Sequence, residues 1–475
     1  MKARVPSRLA VAIAGVLLLS HCAQVPVDGS KVIEPLPDQD EIELGAQAHQ
    51  AVLQEYATLD HPALQAYVDA VGQRLARQSS RANLAWRFTV IDSPDVNAFS
   101  SPDGHVYLTR GILPYLNSEA ELAAVIGHEI GHVSAHHGVR QRGAPAVAEL
   151  GSVLAPEAES PAGAPVLRTL AQARTTGYGR EHELEADRLG AGYLASSGYS
   201  PQAMIAAIDT LQNQAAASRA RGVSPRTYHG IHDSQPKDDA RRVRLVGKAG
   251  SNAAALPQGG RDDYLQELVG LHVGDSPAQG VIRNNLLLHE QLGLALQFPP
   301  GWQVRNRPDR VVATNAEGDA LLELQAGPKR GKPLETLQHG VKLDAGARYD
   351  SGRLGGFPAA FAAGAQAGRP VVVAAVVFGG TQYLIAGMTR DKSAYERERS
   401  ALRAAINSFH AITPAEKKAA RTHALQLLTV RPGQTMAELA RQSPLGADAE
   451  RQLRLMNGLY PDGEPEPGQL LKIVQ

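Results

Sequence analysis

Residues 128–132 read His128-Glu129-Ile130-Gly131-His132, and about fifty positions later the chain reads Glu183-Leu184-Glu185-Ala186-Asp187. Positions i and i+4 of a helix lie about 40° apart around the axis, so a helical setting projects both histidines from one face. Two imidazoles so placed can hold one metal ion, with Glu129 beside them as general base. The pentapeptide alone decides little: with sixteen histidines in the chain it arises by chance in roughly three chains of this composition per hundred. Its setting decides more. Ser118 and Glu121 have the spacing of a capping box, and Glu119 and Glu121 favour the positive end of a helix. Leu122, Val125, Ile126, Ile130 and Val133 then recur at helical spacing. Gly127 and Gly131 each cost about 1 kcal/mol relative to alanine in a helix interior. Their place beside the histidines predicts close backbone packing there.

A second helix is predicted from about 181 to 195, ended by Ser197-Gly198 with Pro201 beyond. Glu183 and Asp187 share one of its faces. Standing alone, Glu181, Glu183, Glu185 and Asp187 read as a solvated acidic face. A catalytic zinc site needs three protein ligands and an open fourth position. His128, His132 and Glu183 supply those ligands, and Asp187 stands by as a supporting carboxylate. His136 and His137 continue the first helix and read as exposed or as outer support.

These motifs resemble those of the gluzincin metallopeptidases of the CAAX-protease/HtpX-like family, and most of all its soluble periplasmic, BepA/LoiP-like branch. The resemblance covers residues 41–245. It rests on Leu44-Gly45, on Pro62-Ala63-Leu64-Gln65-Ala66-Tyr67-Val68, and on Asn97-Ala98-Phe99 followed by Val106-Tyr107-Leu108-Thr109-Arg110-Gly111. It continues through Glu121-Leu122-Ala123-Ala124-Val125 into the histidine motif and then Glu183 to Asp187. Where the family has a glycine pair this chain has Pro102-Asp103-Gly104-His105, and a turn is expected either way. The resemblance implies one zinc ion on His128, His132 and Glu183, with Asp187 as a second catalytic carboxylate. It implies that Glu129 assists attack of a zinc-bound water on a peptide bond and then protonates the leaving amine. It also implies a small sheet beside the metal helix, whose edge strand takes an extended peptide through main-chain bonds. The local patterns agree. Leu64, Tyr67, Val68, Val71 and Leu75 form one helical stripe, and Trp86, Phe88 and Val90 alternate as a half-buried strand does, as do Val106 and Leu108.

In the periplasmic relatives a later histidine can fill the open zinc position. His232, in Tyr228-His229-Gly230-Ile231-His232-Asp233, stands where this regulatory latch is expected, with His229 as the alternative. Tyr228, His229 and His232 are also the candidate donors to an oxyanion.

The N-terminus carries Lys2, Arg4 and Arg8 before an apolar run from Leu9 to Leu19, the pattern of a secretory signal over residues 1–21. Leu19-Ser20-His21-Cys22 resembles a lipobox. Cys22 is the single cysteine, which suits lipidation because it has no partner for an internal disulfide. His21 departs from the small residue usual there, which leaves simple cleavage open. Ala23 resembles the sorting residue of outer-membrane lipoproteins. The expected location is therefore the periplasm, anchored to the inner face of the outer membrane.

Beyond the peptidase domain (22–246), a Gly/Ala/Asn-rich linker (247–282) leads to a second domain (283–412) opened by Phe298-Pro299-Pro300-Gly301-Trp302. Strands are predicted at 310–314, 320–326, 371–378 and 383–388, and a closing helix at 393–409. This order resembles the Mog1/PsbP-like α/β sandwich. The last segment (422–475) reads strand, helix, helix, strand. Val430-Arg431-Pro432-Gly433-Gln434-Thr435, Leu455-Met456-Asn457-Gly458 and Pro467-Gly468-Gln469-Leu470 resemble a LysM domain, which implies peptidoglycan as a partner. The expected fold class is α+β and multidomain: a mainly helical zincin peptidase domain with a small sheet, an α/β sandwich domain, and a small βααβ LysM-like domain.

Lysine plus arginine equals aspartate plus glutamate, 48 each. With no dense basic stripe, nucleic acid is excluded as an expected partner. The stretch 142–163, rich in Ala, Gly and Pro, is expected to be a flexible cover or a crossing loop near the cleft, in part helical. Two functions stand side by side. One is a zinc endopeptidase acting on misfolded or stalled envelope proteins. The other is a chaperone or scaffold for the outer-membrane assembly machinery, with a latched zinc site.

Overall fold

The computed structural model describes residues 38–140, 178–220, 260–329 and 331–475. Cys22 and the signal segment, the stretch 142–163, and Tyr228, His229 and His232 lie outside the described residues. The chain is α+β and has several sheets. Among the described residues no helix is long and apolar enough to cross a membrane.

The first unit begins with α1 (Asp38–Glu55) and α2 (Pro62–Ala76). Pro62 suits the first turn of α2, where its missing N–H is not needed, and the His61 ring accepts the Leu64 N–H as a cap. Strands β1 (Arg87–Ile91), β2 (Ala98–Ser100) and β3 (His105–Thr109) follow. The order is β1-β3-β2, with β1 parallel and β2 antiparallel to β3. The turn before β3 is present, with Gly104 at φ +93°. The sheet is covered on both faces, which simple alternation does not anticipate. Val90, Val106 and Leu108 enter the main core with α2, while Ile91, Phe99 and Tyr107 pack with Val52 of α1.

Helix α3 (Glu119–Ser134) carries both motif histidines. Ser118 Oγ accepts the Glu121 N–H, a cap worth about 1 kcal/mol. The Glu121 carboxylate takes the Asn117 N–H, one residue outside the usual capping box. After the short α4 (His137–Arg140) come α5 (Arg180–Ser196), which carries Glu183 and Asp187, and α6 (Gln202–Arg219).

Part of the stretch read as a linker is ordered against this unit. Helix α7 (Arg261–Glu267) buries Tyr264, whose hydroxyl donates to the Leu113 carbonyl. Strand β4 (His272–Val273) is held by the buried Arg110, which donates to the His272 and Gly274 carbonyls and to Asp92.

The middle unit opens with β5 (Val281–Arg283), β6 (Leu286–His289) and β7 (Leu294–Gln297). A larger sheet is built from β8 (Gln303–Asn306), β9 (Arg310–Thr314), β10 (Ala320–Ala326), β11 (Arg348–Leu354), β12 (Phe357–Gln366), β13 (Arg369–Phe378) and β14 (Thr381–Thr389). Its order is β11-β12-β13-β14-β10-β9-β8, antiparallel throughout. Helix α8 (Pro333–Gly340) covers one face through Leu337. Helix α9 (Lys392–Asn407) covers the other through Leu402 and Ile406. With both faces covered, β13 is apolar at consecutive positions instead of alternating. The short strand β15 (His410–Ala411) joins β7, β6 and β5, and α10 (Pro414–Ala419) leads out of the unit.

The last unit is β16 (His423–Thr429), α11 (Met436–Gln442), α12 (Ala449–Met456) and β17 (Leu470–Val474), with β16 antiparallel to β17 and to β4. It is docked, not tethered. Leu425, Met436, Leu453 and Leu471 share one core with Leu113, Leu116 and Leu122 of the first unit. Lys472 is fully buried in that junction, where its Nζ donates to the Leu116 carbonyl at 2.6 Å and to Asn117 Oδ1 at 3.0 Å. Burial pushes the Lys472 amine down to about 7.

Lys472→Met keeps the bulk of the side chain but removes this donor from the Leu116 carbonyl and the Asn117 amide oxygen. Denaturant unfolding is expected to show a loss of about 1–3 kcal/mol. Unchanged stability would mean that the junction does not depend on Lys472.

Candidate metal centre

Helices α3 and α5 touch through their smallest residues. A Cβ added to Gly131 would lie 2.7 Å from the Ala186 carbonyl oxygen, and one added to Gly190 would lie 2.9 Å from the Gly127 carbonyl carbon. This close approach is the packing that Gly127 and Gly131 predict. It brings Glu183 to the histidine face of α3. His128 Nε2 lies 2.9 Å from His132 Nε2, and Glu183 Oε2 lies 3.2 Å from the first and 3.6 Å from the second.

Those three separations test whether a metal ion fits. Tetrahedral bonds of about 2.0–2.1 Å place neighbouring donors about 3.3 Å apart, close to what the three atoms show. His128, His132 and Glu183 are all buried, and among the described residues they are the one His/Cys/Asp/Glu cluster whose atoms converge in this way. The charge balance points the same way. Glu129, Glu183 and Asp187 are three carboxyl groups at 0–1% exposure crowded around two imidazoles, an excess that a divalent cation offsets. The imidazoles feel the carboxyl groups unequally. Burial disfavours the charged form of His128, but the hydrogen bonds and charges of Asp187 and Glu183 overcome it and raise its pKa to about 10. Burial dominates at His132, which falls to about 4.

A layer of contacts orients each ligand. His128 Nδ1 meets Asp187 Oδ1 at 2.9 Å. His132 Nδ1 meets His137 Nδ1 at 2.8 Å. Glu183 Oε1 accepts the Tyr178 N–H at 2.9 Å, and the Tyr178 ring lies 4.4 Å from that of His132. Glu129 is held from the sheet: Ser100 Oγ, at the end of edge strand β2, lies 3.1 Å from Glu129 Oε2. A buried carboxylate one residue from a candidate metal ligand, steadied by a hydroxyl, has the placement of a general base.

Of the acidic run, Glu183 and Asp187 are buried, Glu181 is exposed and Glu185 is half-buried. His137 is fully buried and bonded to His132, whereas His136 turns away and meets Glu41 Oε2 at 2.7 Å. Ser100 and Tyr178 are contributors that sequence reasoning missed. Neither has a spacing relation to the histidine motif, because their places depend on how the sheet and α5 meet α3.

Residues 62–248 match the model of Peptidase family M48. The chain is 35% identical over 167 residues to the beta-barrel assembly-enhancing protease of Escherichia coli (strain K12), covering 33% of this chain and 34% of that one. It is 32% identical over 229 residues to the protein of the same name in Yersinia pestis, covering 45% of each. With the mitochondrial metalloendopeptidase OMA1 of Schizosaccharomyces pombe it shares 32% identity over 126 residues, 26% of this chain and 37% of that one. It thus spans less than half the length of each of these relatives. Two solved structures resemble part of it. Cyanobacterial PsbP from Synechocystis shows 13% identity over 26% of this chain and 88% of that one, with a TM-score of 0.21. The Ran-binding protein Mog1p of Saccharomyces cerevisiae shows 14% identity over 28% and 98%, with a TM-score of 0.20.

Gly131→Ala tests the packing on which the centre depends. Helix propensity alone gives a gain of about 1 kcal/mol. The 2.7 Å approach to the Ala186 carbonyl oxygen gives overpacking that costs about 1–3 kcal/mol. A lowered thermal midpoint is the expected result, and a raised one would contradict the contact.

Proposed function

On the match of residues 62–248 to the model of Peptidase family M48 and on the geometry of the centre, we propose that the chain is a zinc endopeptidase of the bacterial cell envelope that hydrolyses peptide bonds in misfolded or stalled envelope proteins. The observation that carries this reading is the convergence of His128 Nε2, His132 Nε2 and Glu183 Oε2, with the buried Glu129 alongside. Two imidazole nitrogens and a carboxylate oxygen are a donor set suited to zinc. Zinc bound there would polarise a scissile carbonyl and make water a better nucleophile at neutral pH.

The chain's own residues do the rest. Glu129 takes the proton of the attacking water and later returns it to the leaving amine nitrogen, so one carboxylate serves as base and then as acid. Ser100 keeps the Glu129 carboxylate turned toward the site. Asp187 holds the ring of His128 through Nδ1 and leaves Nε2 for the metal. Burial of all these groups strengthens their electrostatic effect on developing charge. Strand β2 lies at the edge of its sheet beside Glu129. A substrate in extended form adds there as a further strand, with main-chain bonds giving loose sequence preference.

Substrate class and location draw on less. The name of the relatives, beta-barrel assembly-enhancing protease, supports substrates and partners among outer-membrane proteins and their assembly machinery. The lipobox-like Leu19 to Cys22 supports a periplasmic protein tied to the outer membrane by a lipidated cysteine. The C-terminal strand–helix–helix–strand unit is proposed as the contact with peptidoglycan. His232 remains the proposed latch, a fourth protein ligand that would keep the enzyme idle. An assembled base at Glu129 favours the peptidase over the scaffold, because holding a partner does not require one.

The zinc-loaded chain lacking residues 1–22 is expected to cleave an unfolded protein. Glu129→Gln is expected to reduce cleavage about 10²–10⁴-fold with zinc content unchanged. A variant that cuts as fast as the parent would remove Glu129 from the mechanism.

A further inference from the structure

The two histidine ligands are supported differently. His128 rests directly on a carboxylate, Asp187, through Nδ1. His132 Nδ1 instead faces a second imidazole, that of His137, at 2.8 Å. The backbone makes this possible. His136 has φ +57°, in the left-handed region, and sends its own ring to Glu41. That reversal just past α3 brings the next residue, His137, back beneath His132, where it is fully buried. The ring of His182 stacks on it at 4.3 Å and fixes its plane. On its far side His137 Nε2 lies 3.1 Å from Glu185 Oε2, and the same oxygen receives Arg140 at 3.1 Å.

Hydrogen-bond chemistry then assigns each proton. A carboxylate oxygen accepts and does not donate, so His137 carries its proton on Nε2 and gives it to Glu185. A ligand imidazole binds through an unprotonated nitrogen, so a His132 that serves through Nε2 carries its ring proton on Nδ1, and His137 offers the lone pair of its own Nδ1 at 2.8 Å. The contact between the two Nδ1 atoms is therefore a hydrogen bond in which His132 donates. His132 is left with its Nε2 lone pair, the atom that faces His128 and Glu183. A hydrogen bond at one ring nitrogen selects the state of the other.

We propose that Glu185 and His137 form a tautomer lock on His132, two positioning residues that hold its Nε2 unprotonated and aimed at the metal. The lock rests on the reading of His128, His132 and Glu183 as zinc ligands. It gives Glu185, in the middle of the acidic run, a part separate from those of its neighbours. Glu183 binds, Asp187 orients the first histidine, and Glu185 orients the second through His137.

The test is the zinc dissociation constant of the full chain, measured by chelator competition for the parent, His137→Phe, His137→Asn and Glu185→Gln. The thermal transition of each chelated protein is recorded alongside. Phenylalanine keeps the ring volume but cannot accept from His132, and a loss of about 10–100-fold in affinity is expected. Asparagine restores an acceptor close to the Nδ1 position and should recover much of that loss. Glu185 is partly exposed, so Glu185→Gln tests the lock with little change in packing. Its carboxamide can offer N–H to His137 Nε2, reverse the proton order, and weaken zinc in the same direction. Parent-like affinity in both His137→Phe and Glu185→Gln overturns the proposal. So does a loss that only follows a lowered transition of the chelated variants. A parent chain that takes up no zinc removes the ligand assignment itself, and the lock falls with it.

Discussion

The candidate centre depends on one close contact, the approach of α3 to α5 through Gly127, Gly131, Ala186 and Gly190. A metal site needs donors from separate elements held within a few tenths of an ångström. Larger side chains at this crossing would push Glu183 away from His128 and His132. The glycines weaken both helices as isolated segments, by about 1 kcal/mol each. Tertiary packing makes up that loss: α3 is buried along its histidine-bearing half, with sheet, helices and the C-terminal unit around it.

Around that crossing, polar groups are arranged in pairs of layers. Nε2 and carboxylate oxygens face inward, and each is backed by a bond on its other side: Asp187 behind His128, His137 behind His132, the Tyr178 N–H behind Glu183, and Ser100 behind Glu129. Buried charges without such backing are expensive, and removing one member exposes the rest to that cost. Rigidity at the site extends outward. The Asn117–Glu121 start of α3 is gripped by Lys472 of the C-terminal unit, and Arg110 ties β3 to the strap around β4. The C-terminal unit thus contributes part of the first unit's core.

The sequence made the helices of the centre legible because their signals are local. A cap at Ser118, a 3.6-residue apolar stripe, and paired residues four apart are all visible without knowing the fold. Contacts between distant segments were not. Ser100 meets Glu129 only because the edge strand lies along α3, and Tyr178 contributes a backbone N–H, which no side chain announces. In the middle unit, β10, β13 and β14 stand out through their apolar residues. Strands β11 and β12 do not: alanine has low strand propensity, and Ala360 and Ala362 are small residues that fit under α8 beside Val371 and Val373, while Ala359 packs into the core of the opposite face. A hairpin signal was present at Gly355-Gly356, both at positive φ and linking Leu354 to Phe357. The burial of Tyr107 also went unread, since it follows from α1 covering the outer face of the sheet.

The most direct test of the whole account is the zinc K-edge absorption spectrum of the purified, zinc-loaded chain. The expected result is one zinc per chain with only nitrogen and oxygen neighbours at about 2.0–2.1 Å, including the outer-shell scattering of two imidazoles, or of three where the proposed His232 latch is closed. A sulfur neighbour at about 2.3 Å, a single imidazole, or zinc that His128→Ala and Glu183→Ala leave in place would contradict it.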